Sequence, residues 1–203
     1  MAAAEQTSIR RVRLYVDARA GWEGVRLVRL ALDLADEDSR SPNETRMRLI
    51  WVIDAGLPRP QVNQPIWDLS GKLLGIADLL DEDAGLVGEF DGADHRGAVR
   101  QSKDEDRAGG FRDLGLEIFR VTGPDIWSPP TVVARMLSAR ARAKFLPPAQ
   151  RAWTTTPPPG WEPVPTLDER LDERDARRAE HEVWEAETDQ REAELRAELG
   201  RLS

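Results

Sequence analysis

The chain has 203 residues, of which 40% are hydrophobic and 33% charged, and no cysteine; that composition fits one globular domain of ordinary size plus an appendage. Without cysteine, a disulfide framework and a thiolate metal site are excluded. The net charge of −8 is uneven: from Arg151 onwards 14 Asp+Glu face 8 Lys+Arg, which leaves residues 1–150 at −2, so the acidity does not argue against a nucleic-acid partner for the body.

The N-terminal MAAAEQTSIRRVR lacks the apolar stretch of a secretory signal. No run approaches the roughly 20 apolar residues that cross a bilayer, so a cytoplasmic protein with no membrane partner is expected. GWEGVRLVRLALDLADED (21–38) spaces its valines and leucines as a short amphipathic helix. SPNETRMRLIWVIDAGLP (41–58) is a second helix, with Ser41 as N-cap, Pro42 at the first position, and Gly56 and Pro58 closing it. Three strand-like runs follow. PQVNQPIWD (60–68) and KLLGIADLL (72–80) flank the hairpin signal Leu-Ser-Gly, and Asp81–Ala84 turns the chain into GLVGEFD (85–91).

The polar stretch 96–115 predicts a helix, LEIFRVTG (116–123) alternates as a strand, and the segment after Pro130 is helical to about residue 145. Trp51, Trp67 and Trp127 stand in apolar surroundings and are expected in the core. From Leu146 a stretch with 7 of the 14 prolines reads as a stiff linker. The remainder is a charged helix with i,i+4 pairs such as Glu173–Arg177, Glu187–Arg191 and Glu192–Arg196. Three consecutive strands imply a meander; a fourth, reached through a helix, can lie parallel to a central strand. The expected class is therefore α/β, with a small mixed sheet.

Asp78 lies near the end of the second strand, and Glu89 and Asp91 share one face of the third. If these strands pair as a tight hairpin, Asp78 approaches Glu89. Clustered carboxylates raise each other's pKa unless a cation neutralises them, and a hard divalent ion such as Mg²⁺ does so with carboxylate and carbonyl oxygens. Each residue also has an ordinary structural reading. Glu44 stands where it closes a capping box on Ser41, Asp78 and the Asp91-Gly92 pair suit turns, and His95 suits a solvated surface. Glu89, inside LVGEF, is the hardest to explain without a partner.

The order of helix Glu44, strand Asp78 and Glu89-x-Asp91 resembles the PD-(D/E)XK nuclease superfamily, and more closely its very-short-patch-repair-like branch. The matching text is SPNETRMRLIWVIDAGLP, GIADLL, EFDGADH, KDEDR and LGLEIFRVTGPDI, within about residues 41–137. The resemblance implies a restriction-endonuclease-like three-layer α-β-α core, ordered αβββαβ around a mixed four-stranded sheet. It implies a catalytic set of Glu44, Asp78, Glu89, Asp91 and His95. It further implies Mg²⁺, with Mn²⁺ as substitute, held by Asp78, Glu89 and the Phe90 carbonyl. Asp91 stands where the superfamily has a lysine, and His95 becomes the candidate general base. Asp104 and Arg107 match a D-x-x-R pattern and equally an i,i+3 surface pair. The branch has a second histidine where this chain has Arg96, and a larger apolar residue where it has Gly88.

Arg96, Arg100, Lys103 and Arg107, and again Arg135, Arg140, Arg142 and Lys144, suit contact with DNA phosphates, and a solvated helix face explains either group equally. The expected organisation is a lead-in segment (1–40), an endonuclease-like domain (41–145), a proline-rich linker (146–166) and a charged helical tail (167–203) that takes a protein partner or a second copy. The leading function is metal-dependent hydrolysis of DNA phosphodiester bonds. The alternative is a non-cleaving nucleic-acid-binding or regulatory protein on the same fold, in a defence or toxin–antitoxin setting.

Overall fold

Two serines set the helices that precede the sheet in the computed structural model, which describes residues 6–92 and 110–201. Ser8 Oγ accepts the Arg11 N–H (3.1 Å) and starts α1 (Ile9–Asp17); α2 (Val25–Leu34) follows. Ser41 Oγ accepts the Glu44 N–H (3.1 Å) with Pro42 in the first turn, which starts α3 (Pro42–Leu49). The helix continues as a π-helical turn, Ile50–Asp54, in which the Ala55 N–H reaches the Ile50 carbonyl (2.9 Å). Gly56, at φ +61°, ends it.

The expected strands form as β1 (Gln61–Asp68), β2 (Leu73–Asp81), β3 (Leu86–Asp91) and β4 (Glu117–Thr122). The β1–β2 turn is organised by Asp68, whose Oδ1 accepts from Ser70 N–H (2.9 Å), Ser70 Oγ (2.6 Å) and Lys72 N–H (2.9 Å). These bonds, the Ser70 hydroxyl first, hold its carboxyl below the usual range. α4 (Pro129–Arg142) follows β4, then β5 (Trp153–Thr154) and α5 (Leu167–Arg201). The sheet is mixed, in the order β4-β3-β2-β1-β5, with β3 and β4 parallel and the other pairs antiparallel. It therefore has five strands rather than four. The extra one arises inside the proline-rich stretch, where Trp153 is buried and its two-residue strand pairs with Trp67 and Asp68. Because β5 covers only that end of β1, Pro65 costs the sheet no ladder bond on the outer side.

Two apolar clusters cover the two faces of the sheet. The first joins Met47, Ile50 and Trp51 to Leu79, Leu86, Phe119 and Val121 and to Val132, Met136 and Ala139 of α4. The second joins Ile66, Ala77, Leu80, Val87 and Ile118 to Phe111, Leu116 and Trp153. Helices thus lie against the first face, while residues 110–113, the described end of the helix expected over 96–115, bring Phe111 to the second. Trp51 and Trp67 are buried as expected, but Trp127 is 72% exposed, with the Arg46 guanidinium 3.8 Å from its ring centroid. Among the described residues no helix is long and apolar enough to cross a membrane.

Contacts divide the chain into two compact units, one of residues 33–162 and one that joins 1–32 to 163–203. In the second, Thr166 and Glu169 form a capping box at the start of α5: Thr166 Oγ1 accepts the Glu169 N–H (3.2 Å) and Glu169 Oε2 accepts the Thr166 N–H (2.7 Å).

Gly88 sits under the Phe119 ring: a Cβ there would lie 2.6 Å from Phe119 Cζ and 3.4 Å from Leu79 Cβ. The ring cannot retreat freely, since it packs against Trp51 with centroids 5.7 Å apart. Gly88→Ala is therefore expected to destabilise the domain by about 1–3 kcal/mol through overpacking, read as a lower urea midpoint; an unchanged midpoint would mean the ring yields without cost. Asp125 supplies a pH test. Its carboxyl is held at about 2, first by the Arg135 guanidinium (2.5 Å) and then by the Thr122 hydroxyl (2.7 Å) and N–H (3.0 Å). A carboxyl depressed by folding stabilises above its unfolded value of about 4 and loses that effect as pH falls toward 2. Asp125→Asn should lower Tm at pH 7, and the gap to wild type should close between about pH 4 and 2; a pH-independent gap would contradict the assignment.

Candidate functional site

The site lies where two neighbouring strands change phase together. On a regular strand Ala77 and Leu79 share a face, yet Ala77 and Leu80 belong to the second cluster and Leu79 to the first. β1 does the same: Val62 packs on the first cluster and Ile66 on the second. The breaks coincide, because the pairs Val62–Leu79 and Gln64–Ala77 set Asn63 across from Asp78. Asn63 accomplishes its half of the break with φ +47°, a left-handed conformation that asparagine tolerates better than other side chains. Its amide Nδ2 donates to the Asp38 carbonyl (2.6 Å) and to Glu44 Oε2 (3.1 Å).

Asp78 completes the break on the other side. The β2–β3 ladder runs through Asp81–Leu86, Leu80–Val87 and Leu79–Gly88; the next rung would be Asp78–Glu89. There Asp78 Oδ2 accepts the Phe90 N–H at 2.7 Å, a side chain in place of a backbone carbonyl. On β3, Glu89 follows Val87 in facing the second cluster's side and is only 8% exposed, and in the parallel ladder it stands opposite Arg120 of β4. The result is a row of polar residues, Asn63, Asp78, Glu89 and Arg120, at adjacent register positions of four neighbouring strands.

Glu44 is tied to this row through Asn63. Its carboxylate also accepts the Arg40 N–H (2.8 Å), so it caps the chain entering α3 as well as contacting β1. The segment before α3 is pinned by Arg59, whose guanidinium donates to the carbonyls of Asp33 (2.7 Å) and Ala35 (2.5 Å) and to Asp36 Oδ2 (3.2 Å). Arg48, buried on α3, has its pKa lowered by desolvation, against which the Asp36 charge acts.

The expected residues are thus distributed as follows. Asp78, Phe90 and Glu89 come together at the β2–β3 rung, Glu44 reaches Asn63, and Asp91 is exposed at the end of β3. His95, Arg96, Arg100, Lys103, Asp104 and Arg107 lie outside the described residues. Of the second basic group, Arg135 pairs with Asp125 (2.5 Å), Arg140 with Asp81 (3.0 Å) and Arg142 with Glu117 (2.6 Å), so these guanidiniums brace the domain. Asn63 and Arg120 did not emerge from the sequence. The only signal for Asn63 was a turn-prone residue inside a strand-like run. Arg120 had none, because its partner is defined by register.

The donor set is chemically suited to a hard cation: carboxylates of Asp78 and Glu89 with the Phe90 carbonyl are all oxygen. Among the described residues no group of three or more His, Cys, Asp or Glu is placed to hold a metal. An ion at this rung would therefore draw the rest of its shell from water and substrate oxygens, as Mg²⁺ commonly does. No protein-family model matches the chain, and neither does a curated protein or a solved structure.

The left-handed Asn63 gives a direct test of the row. Asn63→Gly keeps the backbone but removes the bonds to Asp38 and Glu44, at an expected cost of about 1 kcal/mol. Asn63→Val adds a β-branched side chain to the same conformation and should cost about 2 kcal/mol or more. Chemical denaturation of both should rank valine as the less stable; the reverse order would show that φ at this position does not constrain the strand.

Proposed function

We propose that the chain is a metal-dependent endonuclease-like protein that hydrolyses DNA phosphodiester bonds, built on a restriction-endonuclease-like α-β-α core. The observation that carries this reading is the rung at which Asp78 binds the Phe90 N–H beside the buried Glu89. Glu89 is buried and Asp78 half-buried, and two carboxylates at one rung with a neighbouring backbone carbonyl form an all-oxygen donor set of the kind a hard cation takes. Mg²⁺ or Mn²⁺ bound there would polarise a phosphoryl oxygen and lower the pKa of an attacking water.

The chain's own residues then divide the work. Asp78 and Glu89, with the Phe90 carbonyl, bind the cation; the Phe90 N–H fixes the Asp78 carboxylate in orientation. Glu44 supports the site from α3, held through Asn63. His95, four residues after Asp91, accepts the proton of the nucleophilic water, and Arg96, Arg100, Lys103 and Arg107 bind DNA phosphates. Arg120, opposite Glu89 on β4, supplies the positive charge that a lysine at position 91 would otherwise bring to the scissile phosphate.

Asp91 favours a second reading. An exposed acid at the end of β3 repels phosphate and cannot stabilise developing negative charge, as a DNA-binding protein that does not cleave would tolerate. Incubation of the purified protein with supercoiled DNA and Mg²⁺ or Mn²⁺ separates the two. Nuclease activity that falls about 100-fold or more in Asp78→Asn, with DNA binding retained, is expected, since a charged ligand supplies several kcal/mol of transition-state stabilisation. Salt-dependent binding without cleavage would favour the second reading, and cleavage by Asp78→Asn at the wild-type rate would remove Asp78 from the site.

A further inference from the structure

We infer that the exposed part of α5 is a docking surface for a basic amphipathic helix of a partner protein. This is independent of the nuclease reading. The first turns of α5 already display the mode of binding. There Asp168, Asp172 and Asp175 receive α1, a helix of sequence IRRVRLYVD: Arg10 pairs with Asp168 (3.0 Å) and Asp172 (2.9 Å), and Arg11 pairs with Asp172 (2.7 Å) and Asp175 (2.6 Å). Ser8 adds a hydrogen bond to Asp168, and Leu167 and Leu171 are buried. The two arginines have their pKa values raised and Asp172 has its lowered, chiefly by these hydrogen bonds.

The same stripe of α5 continues at seven-residue spacing from Asp175 through Glu182 and Asp189, but beyond Asp175 the described part of the helix is exposed. Val183 and Trp184 are 58% and 61% exposed in a shallow depression lined by Ala179, Glu180 and Glu187. Small residues keep the adjoining seam low at Ala176, Ala179, Ala186 and Ala193. Between Glu180 and Glu194 seven acids stand against one base, Arg191. Among the described residues, Glu180, Glu187 and Asp189 make no ion pair.

Charge selects the occupant. A second copy of α5 on this seam would set Asp175, Glu182 and Asp189, or Glu180, Glu187 and Glu194, against acids in either orientation, which is unfavourable. Nucleic acid and anionic lipid are repelled for the same reason. A helix with apolar residues facing Val183 and Trp184 and Lys or Arg beside them would add an apolar contact to the arginine–aspartate pairing that α1 makes earlier on the same helix. Trp184 is the anchor such an interface needs.

A synthetic peptide helix with leucines on one face flanked by lysine and arginine, titrated into the full-length chain by calorimetry, tests this. Binding is expected to weaken about tenfold in Trp184→Ser, and by a similar factor when Glu180, Glu182, Glu187 and Asp189 are changed to Gln and Asn. A peptide of the same composition in scrambled order, which keeps the charge and loses the apolar face, should bind about tenfold more weakly. Equal binding of the scrambled peptide, equal binding by the Trp184→Ser chain, or a dimer in sedimentation that Trp184→Ser dissociates would each overturn the assignment. The last would make a second copy the occupant. Far-UV circular dichroism of the variants verifies that α5 remains helical.

Discussion

The Asp78 carboxylate does in the sheet what a strand carbonyl does elsewhere, and much of the domain's central geometry follows from it. Between Leu79–Gly88 and the end of β3, the Phe90 N–H is satisfied by Asp78 Oδ2 rather than by β2 backbone. An unsatisfied amide at that depth would cost on the order of 1–3 kcal/mol, so the substitution of partners is enforced. A side chain that reaches sideways into the ladder cannot also stand upright on its face, and the alternation of β2 slips at that residue. β1 matches the slip only because Asn63 accepts a left-handed conformation directly opposite. The two irregularities are one feature, and the polar row is its result.

That feature is held at two points by the helical layer on the first face of the sheet. At one, Phe119 packs over Gly88 and against Trp51, which brings β3 and β4 within reach of α3 and its π-helical turn. The absent side chain at residue 88 is thus a packing requirement. At the other, Glu44 is fixed by its bonds to the Arg40 N–H and Asn63, while Arg59 pins the chain that leads into α3. Glu44 thus ties the chain entering α3 to Asn63 of the row through one carboxylate oxygen.

Local signals carried the fold a long way. The Ser41-Pro42 start, the Asp68–Lys72 hairpin and the alternation of residues 116–123 each need only neighbours in the chain, and each is found. The candidate acids Asp78 and Glu89 were legible for a related reason: an ionised side chain inside an apolar run is conspicuous wherever it folds. What was illegible depends on distant partners. Trp153 makes β5 only by entering a core built elsewhere. Trp127, in equally apolar surroundings, finds no such space and lies under Arg46. Arg135, Arg140 and Arg142 read as a basic helix face until Asp125, Asp81 and Glu117 come within ion-pair distance. Asn63 and Arg120 needed the strand register before they could be seen as part of a site.

The acidic helix shows the same distinction in electrostatic form. In its first half many acids are compensated locally, by α1 across the stripe and by i,i+4 pairs such as Glu173–Arg177 (3.5 Å) and Arg178–Glu182 (3.0 Å). Such pairs contribute only a few tenths of a kcal/mol each, and like charges at that spacing subtract as much. Past Val183 six acids stand against Arg191, Arg196 and Arg201, so that stretch remains net acidic. Alanine, glutamate and arginine favour the helix enough to sustain it, but propensity gives no reason for a tryptophan and a valine on its surface. An apolar anchor beside Glu180, Glu187 and Asp189, which make no ion pair among the described residues, has its counterpart in a basic, amphipathic surface, and the arginine–aspartate pairs between α1 and the first turns of the same helix supply the charge pattern for it.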